Sequence, residues 1–381
     1  MGSRILLRQI EDQIEAARLV LHPSPARNGR LSFPHRSAHL KEQAPSTPNR
    51  DMKEAAPQAA RSEDRHLLAA AIRDLGLSTH ESLPGRQTGE SGSYAIPVVC
   101  DGVEAFLKLA PQGKSLVSER AEREARFFRE LGGLVPLKTP EVLRIESTPE
   151  WLAIVLRRYK PLPRFGMWPG AMRDLAVRQL ARLHARYWDD RPFLDRRPWL
   201  SRPPWPADPD SVKHSLASWK RLLTDSHLPD SSPREGFELV VRLGERLPEI
   251  LSFIQAQPRT LCHGDSHPAN LLCDDNEELV WADWHEVRRA SGPEDLAHFL
   301  TRCTGDGQLV DETEMLDVYT GELRRLFGPD PAINTMGRAV AAAELLSVLV
   351  HWPGYVDSSD TERIMRLLSR ARVLALRLEL Q

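Results

Sequence analysis

A change of pattern along the chain, from short strands to long helices, places the strongest constraint on its fold. Two runs of strand-type residues, SYAIPVVC and VEAFLKLA, stand on either side of Asp101-Gly102, a dipeptide typical of tight hairpin turns. They predict an antiparallel pair, and WLAIVLRRY at 151–159 predicts a further strand. After residue 163 the apolar residues recur mainly at the helical period. We therefore expect a small strand-rich region followed by a larger helical one.

Helical patterns recur along the chain. They are predicted at 65–77, 115–131, 171–188, 211–224, 235–256, 294–303, 311–326, 335–351 and 361–380. The pattern at 171–188 places Ala176, Leu180, Leu183 and Tyr187 on one face. One later stretch, LLCDDNEELVWAD, instead predicts two short strands around a DDNEE turn.

The N-terminal 51 residues differ from the rest of the chain. They are rich in Pro, Ser, Arg and His over LHPSPARNGRLSFPHRSAHLKEQAPSTPNR, without apolar periodicity, and predict disorder. The segment is interpreted either as a flexible extension or as a product of start-codon choice, with Met52 as the working start. The predicted organisation is then an extension over 1–51, a nucleotide-binding region over 52–160 and a catalytic region over 161–381.

Charge and hydropathy restrict the partners. A formal net charge of -2 gives no reason to expect a nucleic-acid partner. No apolar run approaches the roughly 20 residues that cross a bilayer, so we expect no membrane partner and a cytoplasmic protein. Four cysteines without CxxC spacing predict reduced, buried thiols: Cys100, Cys262, Cys273 and Cys303. Nothing in these patterns predicts an oligomeric state.

The densest group of chemically active side chains lies in LCHGDSHPAN (261–270) and VWADWHE (280–286). One interpretation is a metal-dependent hydrolase, since zinc or a dinuclear centre accepts such ligands: His263, Asp265, His267, Asp283 and His285. However, the spacing matches neither HExxH nor CxxC sites, and this interpretation does not use the strand-rich region. Another alternative is that these residues only satisfy turns.

A third interpretation uses both regions. HGDSHPAN fits H-x-D-x-x-x-x-N, the pattern of a kinase catalytic loop, in which Asp265 would accept a hydroxyl proton and Asn270 would bind a metal ion. The hairpin around DDNEE would bring Asp283 to the same metal ion. These oxygen ligands suit Mg²⁺ bound jointly with the phosphates of ATP.

A kinase also needs a lysine that positions phosphate and an acid that holds it. Lys108 lies in the predicted strand AFLKLA, and Glu124 interrupts the apolar stripe of the helix at 115–131. An acid within such a stripe is costly unless it is paired, so Lys108 and Glu124 are predicted to be partners. The loop before the first strand could cover phosphates with its backbone N–H groups, through Gly89, Ser91, Gly92 and Ser93.

Together these motifs resemble the aminoglycoside phosphotransferase and choline kinase-like superfamily of small-molecule kinases, over roughly residues 65–381. The most specific portions are HGDSHPAN, with Gly264 where protein kinases usually carry Arg, and GPEDLA at 292–297. The resemblance implies an α+β, bilobal protein-kinase-like fold with a small antiparallel sheet in the N-lobe and a larger helical C-lobe. It also implies that Asp295 braces the catalytic loop and that His267 orients the loop or the substrate.

The resemblance implies the following roles: Asp265 as the catalytic base, Asn270 and Asp283 as the Mg²⁺ ligands, Lys108 as the phosphate lysine and Glu124 as its partner. We therefore expect an ATP- and Mg²⁺-dependent phosphotransferase that acts on a hydroxyl of a small molecule. The acceptor could be aminoglycoside-, macrolide-, choline- or sugar-like, with Trp199, Trp205 and Trp219 available for stacking. A hydrolase and a nucleotide-binding pseudokinase or regulatory protein are the alternatives.

Overall fold

A four-stranded antiparallel sheet forms the first region. The computed structural model describes residues 66–79, 93–113, 115–201, 209–225, 228, 232–305 and 310–380. The sheet has the order β1-β2-β4-β3, with β1 at Tyr94–Cys100, β2 at Val103–Pro111, β3 at Val142–Ser147 and β4 at Trp151–Arg157. The predicted hairpin joins β1 and β2, and Asp101 and Gly102 both have positive φ, 50° and 79°. Positive φ at both turn residues matches the twist of the two strands, and this requirement explains why Asp-Gly is common in tight hairpin turns.

Each face of this sheet is covered by one helix. Helix α1 (66–74) packs through Leu68 and Ala71 on the face that carries Leu107 and Leu109 of β2. Helix α2 (Leu116–Glu130) covers the opposite face, and Ser115 caps it by accepting a hydrogen bond from the Ser118 N–H at 3.2 Å. Because side chains alternate along a strand, Lys108 lies on the α2 face.

The second region is mainly helical. Its helices are α3 (Gly170–Arg186), α4 (Arg191–Asp195), α5 (Pro209–Asp225), α6 (Ser232–Glu245), α7 (Leu247–Gln255), α8 (Gly292–Gly305), α9 (Glu312–Phe327), α10 (Pro331–Asn334), α11 (Met336–Leu346) and α12 (Thr361–Arg377). The predicted stripe of α3, Ala176, Leu180, Leu183 and Tyr187, is fully buried in the main core.

Two helix predictions need correction. The segment 235–256 forms two helices rather than one, because Pro248 lies in the first turn of α7 and has no N–H to continue α6. The segment 335–351 begins with α11 but ends in a π turn at Ser347–His351, followed by a 3₁₀ turn at Trp352–Tyr355. Chain direction therefore changes just where His351 and Trp352 stand.

Five short strands hold the loops of the predicted site. They are β5 (Lys160–Pro161), β6 (Arg259–Cys262), β7 (Leu271–Cys273), β8 (Leu279–Trp281) and β9 (Arg288–Ser291). The predicted β7–β8 hairpin is present, and β5 pairs with β7. The pairing of β6 with β9 sets Cys262 opposite Arg288. The loops 263–270 and 282–287 therefore start from neighbouring strand ends.

The expected fold class is confirmed as α+β, with a small antiparallel sheet followed by a larger helical region. The predicted extension at 1–51 lies outside the described residues. Among the helices that the structure describes, none has the length and apolar character needed to span a bilayer. The four cysteines are free thiols, and all are buried except Cys273, which is partly exposed.

Candidate active site

Lys108 and Glu124 form a partly buried ion pair where β2 meets α2. The Lys108 ammonium lies 2.7 Å from Glu124 Oε1 and 2.8 Å from Oε2. Glu124 is 3% exposed, and its Oε1 also accepts a hydrogen bond from the backbone N–H of Trp284 at 3.2 Å. The acid in the apolar stripe is thus paired, as its sequence position predicts.

Asp283 joins this pair from the second region. Its Oδ1 lies 2.7 Å from Lys108 Nζ and 2.6 Å from His285 Nδ1. The residue has left-handed backbone angles, φ 64° and ψ 59°, which are unusual for a residue with a side chain. Such angles aim the carboxylate back toward β2.

The charges in this group determine its protonation. Burial opposes the charged form of Lys108, but the charges of Asp283 and Glu124 outweigh it and raise the pKa of the ammonium. Burial likewise opposes the ionised form of Asp283, yet Lys108 and His285 hold the pKa of that carboxyl well below its usual value. The lysine is therefore cationic and Asp283 is anionic across the physiological pH range.

Asp265 lies in the loop after β6 and is held by three side chains. Asn270 Nδ2 donates to Asp265 Oδ2 at 3.0 Å and to its backbone oxygen at 2.9 Å. His298 Nε2 lies 3.1 Å from Oδ1, and His267 Nε2 lies 3.6 Å from Oδ2. Burial would raise the pKa of Asp265, but the two histidines outweigh it and hold the pKa well below its usual range. The carboxylate is ionised and fixed in direction.

His298 was missed by the sequence analysis. It follows Asp295 by three residues in α8, so both side chains lie on one face of the helix. The predicted helix at 294–303 contains this spacing. The sequence signal for His298 is therefore a histidine one helical turn after Asp295, the acid that is predicted to brace the catalytic loop.

Asp295 braces the loop, as the resemblance implies. Its carboxylate accepts hydrogen bonds from the backbone N–H groups of His263 at 2.6 Å and Gly264 at 2.9 Å. His184 Nε2 lies 3.2 Å from the same carboxylate, and His184 Nδ1 lies 2.7 Å from the Tyr319 hydroxyl. Burial opposes ionisation, but His184 outweighs it and lowers the pKa of Asp295 to about 2.

Gly264 stands where only glycine fits. Its φ is +85°, and a Cβ atom would lie 2.0 Å from the backbone oxygen of Glu286. The loops 263–270 and 282–287 therefore touch through their backbones at this residue. This contact explains glycine at a position where protein kinases usually carry arginine.

The five ligands of the hydrolase alternative do not all come together. His263 is fully buried, with Nε2 facing the Ala282 oxygen at 3.0 Å and Nδ1 accepting from the Asp265 N–H at 3.3 Å. Burial lowers the pKa of His263 to about 4. Both ring nitrogens are occupied, so His263 offers no ligand atom. Of the predicted ligands, Asp265, Asp283 and His285 bring atoms within 4.8 Å of one another.

The remaining predicted residues are placed as follows. Gly89, Ser91 and Gly92 lie outside the described residues, whereas Ser93 is buried at the start of β1. Trp205 also lies outside them. Trp219 is completely buried and donates from Nε1 to the Leu349 oxygen at 2.9 Å, so it belongs to the core and has no exposed ring for stacking.

The chain matches the phosphotransferase enzyme family over residues 98–320, which includes Lys108, Glu124, Asp265, Asn270 and Asp283. No curated protein matches it.

Several solved structures are similar at low identity. A macrolide 2'-phosphotransferase from Brachybacterium faecium is 17% identical, with 81% of this chain and 98% of the other covered and a TM-score of 0.46. An aminoglycoside phosphotransferase from Alicyclobacillus acidocaldarius is 12% identical, with 79% and 95% covered and a TM-score of 0.46. A Plasmodium vivax ethanolamine kinase is 14% identical, with 74% and 78% covered and a TM-score of 0.46.

Structures that are similar at this level say nothing about the acceptor of this protein. The family match is stronger, because it spans more than half of the chain and includes every predicted catalytic and metal residue. The chain belongs to the phosphotransferase enzyme family, in agreement with the resemblance of its motifs to small-molecule kinases.

Proposed function

We propose that the protein transfers the γ-phosphoryl group of ATP, with Mg²⁺, to a hydroxyl group of a small molecule. The observation that carries the proposal is the double contact of Lys108, whose ammonium binds Glu124 from α2 and Asp283 from the second region. One cation thereby links the sheet to the loops that hold Asp265. This is the arrangement that a phosphoryl transfer needs, since its catalysis depends on positioning and charge.

Lys108 is the proposed phosphate-binding residue. Its ammonium is held by two carboxylates, which keep it charged and in one place. A phosphate oxygen could replace one carboxylate contact without moving the lysine. The loop with Gly89, Ser91, Gly92 and Ser93 is proposed to cover the phosphates with backbone N–H groups.

Asn270 and Asp283 are the proposed Mg²⁺ ligands. Asn270 donates its Nδ2 protons to Asp265, which leaves Oδ1 as the atom it can offer to a cation. Asp283 offers a carboxylate whose low pKa keeps it ionised. Hard oxygen donors of this kind fit Mg²⁺, which would offset charge on the transferred phosphoryl group.

Asp265 is the proposed catalytic base. Its carboxylate is ionised, and donors on both oxygens hold its plane. The acceptor hydroxyl would hydrogen-bond to this carboxylate and pass its proton there as the oxygen attacks the γ-phosphorus and the bond from that phosphorus to ADP breaks. Asp265 therefore acts on the acceptor rather than on ATP.

The test is Asp265→Ala, assayed for ADP release with a panel of small hydroxyl compounds and for ATP binding. Acceptor-dependent ADP release should fall by about a hundredfold or more, while the Kd of ATP stays within about twofold. Asp317→Ala, which removes an exposed acid of α9, is the control and should be fully active. Undiminished turnover by Asp265→Ala would overturn the assignment.

A further inference from the structure

A cluster of rings and cations extends from the catalytic loop into the helical region. It consists of His298, Arg302, His351, Trp352 and Arg363, and we call it the cationic cluster. His298 links it to the site, because its Nε2 lies 3.1 Å from Asp265 Oδ1. The His298 ring also lies parallel to Trp352, with 6.3 Å between centroids and 9° between planes. A group bound at this cluster would therefore stand next to the proposed base.

Two arginines lie against Trp352. The Arg302 guanidinium is 5.8 Å and the Arg363 guanidinium 5.7 Å from the ring centroid. No acid in the described part of the chain forms an ion pair with either guanidinium. Among the described residues, two positive charges beside Trp352 are therefore left without a counter-charge, which favours an anion there.

The same place contains polar groups that have no hydrogen-bond partner among the described residues. Trp352 is 6% exposed, yet its Nε1 has no acceptor among the described residues, and Arg302 Nε has none either. A buried N–H group without an acceptor is unfavourable, so such groups are normally paired. A ligand oxygen would supply the missing acceptor.

The backbone here is also irregular. The π turn at Ser347–His351 ends α11 and sets His351 against Trp352 and Tyr355, at 5.4 and 5.0 Å between ring centroids. Such turns occur frequently at functional sites. Burial lowers the pKa of His351 to about 4, and the charges of His298 and Arg288 act in the same direction, against those of Asp265 and Glu286. The His351 ring is therefore neutral at physiological pH.

Two acids act on His351 through their charges, Asp265 and Glu286, and both already have partners. Asp265 is bonded to Asn270 and His298, and Glu286 pairs with Arg120 at 2.6 Å. Both of these acids are therefore already held by partners within the protein.

We propose that the cationic cluster binds an anionic group of the acceptor, so that the preferred substrate is a small alcohol that also carries a carboxylate or a phosphate. This inference rests on the proposed phosphotransferase function and adds the substrate class. Arg302 and Arg363 would bind the anion, Trp352 Nε1 would donate to one of its oxygens, and the hydroxyl would reach Asp265.

The first experiment measures binding to the full chain with Mg²⁺ and ADP present. Glycerate, glycerol 3-phosphate, glycerol and kanamycin serve as carboxylate, phosphate, neutral and polycationic probes of thermal stability. At least one of the two anionic probes should raise the melting temperature, and the larger rise identifies the anion. The same probe should have a much smaller effect on Arg302→Gln and Arg363→Gln.

Arg338→Gln is the matched control, because Arg338 also lies over an aromatic ring, that of Phe253 at 5.1 Å, but stands away from the cluster. It should respond to the anion as the wild type does. Trp352→Phe keeps a ring and removes only the N–H donor, so it separates hydrogen bonding from stacking.

The second experiment measures acceptor-dependent ADP release. With the anionic alcohol that binds best, Arg302→Gln should raise KM about tenfold or more and change kcat far less, since it removes a charged hydrogen bond from binding. A neutral or cationic alcohol as the best acceptor, or equal anion binding by Arg302→Gln and wild type, would overturn the substrate class while leaving the kinase proposal intact. The kinase proposal itself fails if Asp265→Ala retains turnover.

Discussion

Single residues connect the two regions of this protein. Lys108 is bonded to Glu124 and Asp283, so its position depends on both the α2 face and the loop after β8. Breaking a buried pair usually costs about 3 to 5 kcal/mol, because one charge is left without its partner. The three side chains are therefore expected to act as one unit, with effects of substitutions that do not add.

Gly264 and Gly328 differ in whether a side chain would overlap a neighbouring atom. Gly264 and Gly328 both have positive φ, +85° and +77°, but only Gly264 has a neighbour where a Cβ would stand, the Glu286 oxygen. Gly328→Ala should therefore cost about 1 to 3 kcal/mol of stability through backbone strain, whereas Gly264→Ala should cost clearly more and lower activity. Denaturant unfolding of both variants measures the difference. Equal losses would mean that the two loops do not touch as described.

His298 is predicted to position Asp265. Its Nε2 lies 3.1 Å from Asp265 Oδ1, so His298→Ala should let the carboxylate turn and lower kcat about tenfold or more. His298→Gln keeps an N–H donor and should recover part of kcat, which a purely structural residue would not show. His214→Ala, an exposed histidine of α5, is the control. Equal kcat values in the Ala and wild-type proteins would contradict this role.

At the scale of elements, the sequence predicts best where one local rule decides the structure. The β1–β2 hairpin follows from Asp101-Gly102, and the buried face of α3 follows from its period. The pairing of Lys108 with Glu124 could be predicted because an acid in an apolar stripe needs a cation.

Other elements depend on partners that are distant in sequence. The β6–β9 pair joins RTLC and RRAS, two runs of four residues that are too short to show a period. β3 is only partly buried and has an irregular register between Val142 and Arg144, so it lacks the alternation of a strand. The contact of His298 with Asp265 likewise requires knowing how α8 packs on the loop.

Helix α8 contributes to stability through Asp295. Its carboxyl has a pKa of about 2 in the folded protein, below the value of about 3.9 in an unfolded chain. Its ionised form therefore contributes about 2 kcal/mol of stability above pH 4, and this contribution is lost as pH falls from about 4 to about 2.

Asp295→Asn should remove this part of the pH dependence. It should also destabilise the protein at neutral pH, because an amide leaves one of the two backbone N–H groups of His263 and Gly264 without an acceptor. Urea unfolding between pH 2 and 7 compares the two proteins. Parallel stability curves for wild type and variant would contradict this assignment.

At the scale of the whole molecule, α2 contacts both regions. Phe127 stacks on Trp284 with 4.1 Å between centroids, Arg120 binds Glu286 at 2.6 Å, and Arg123 donates to the Trp199 oxygen at 2.8 Å. The helix that carries Glu124 is therefore attached to the loop that carries Asp283. A ligand bound between these loops and the sheet should stabilise both regions together.

The metal and the nucleotide should therefore stabilise the protein together more than separately. Asn270 and Asp283 are proposed to bind Mg²⁺ mainly when ATP adds further oxygen ligands. A ligand at a hundredfold excess over its Kd stabilises the folded state by about 2.7 kcal/mol. Thermal melts with ATP, with Mg²⁺ and with both should show a shift for both that exceeds the sum of the separate shifts.

Asp283→Ala should reduce this combined shift to nearly that of ATP alone, because the metal loses its carboxylate ligand. Asp283→Ala also removes a partner of Lys108, so the ligand-free variant is expected to have a lower melting temperature than the wild type. Each ligand-induced shift of the variant is therefore measured from the melting temperature of the ligand-free variant. Asp275→Ala is the matched control, because Asp275 lies in the turn of the β7–β8 hairpin just before Asp283 and is 94% exposed, and it should retain the full combined shift. If Asp283→Ala keeps both the combined shift and activity, then Asp283 does not bind the metal and the kinase interpretation of residues after 270 is wrong.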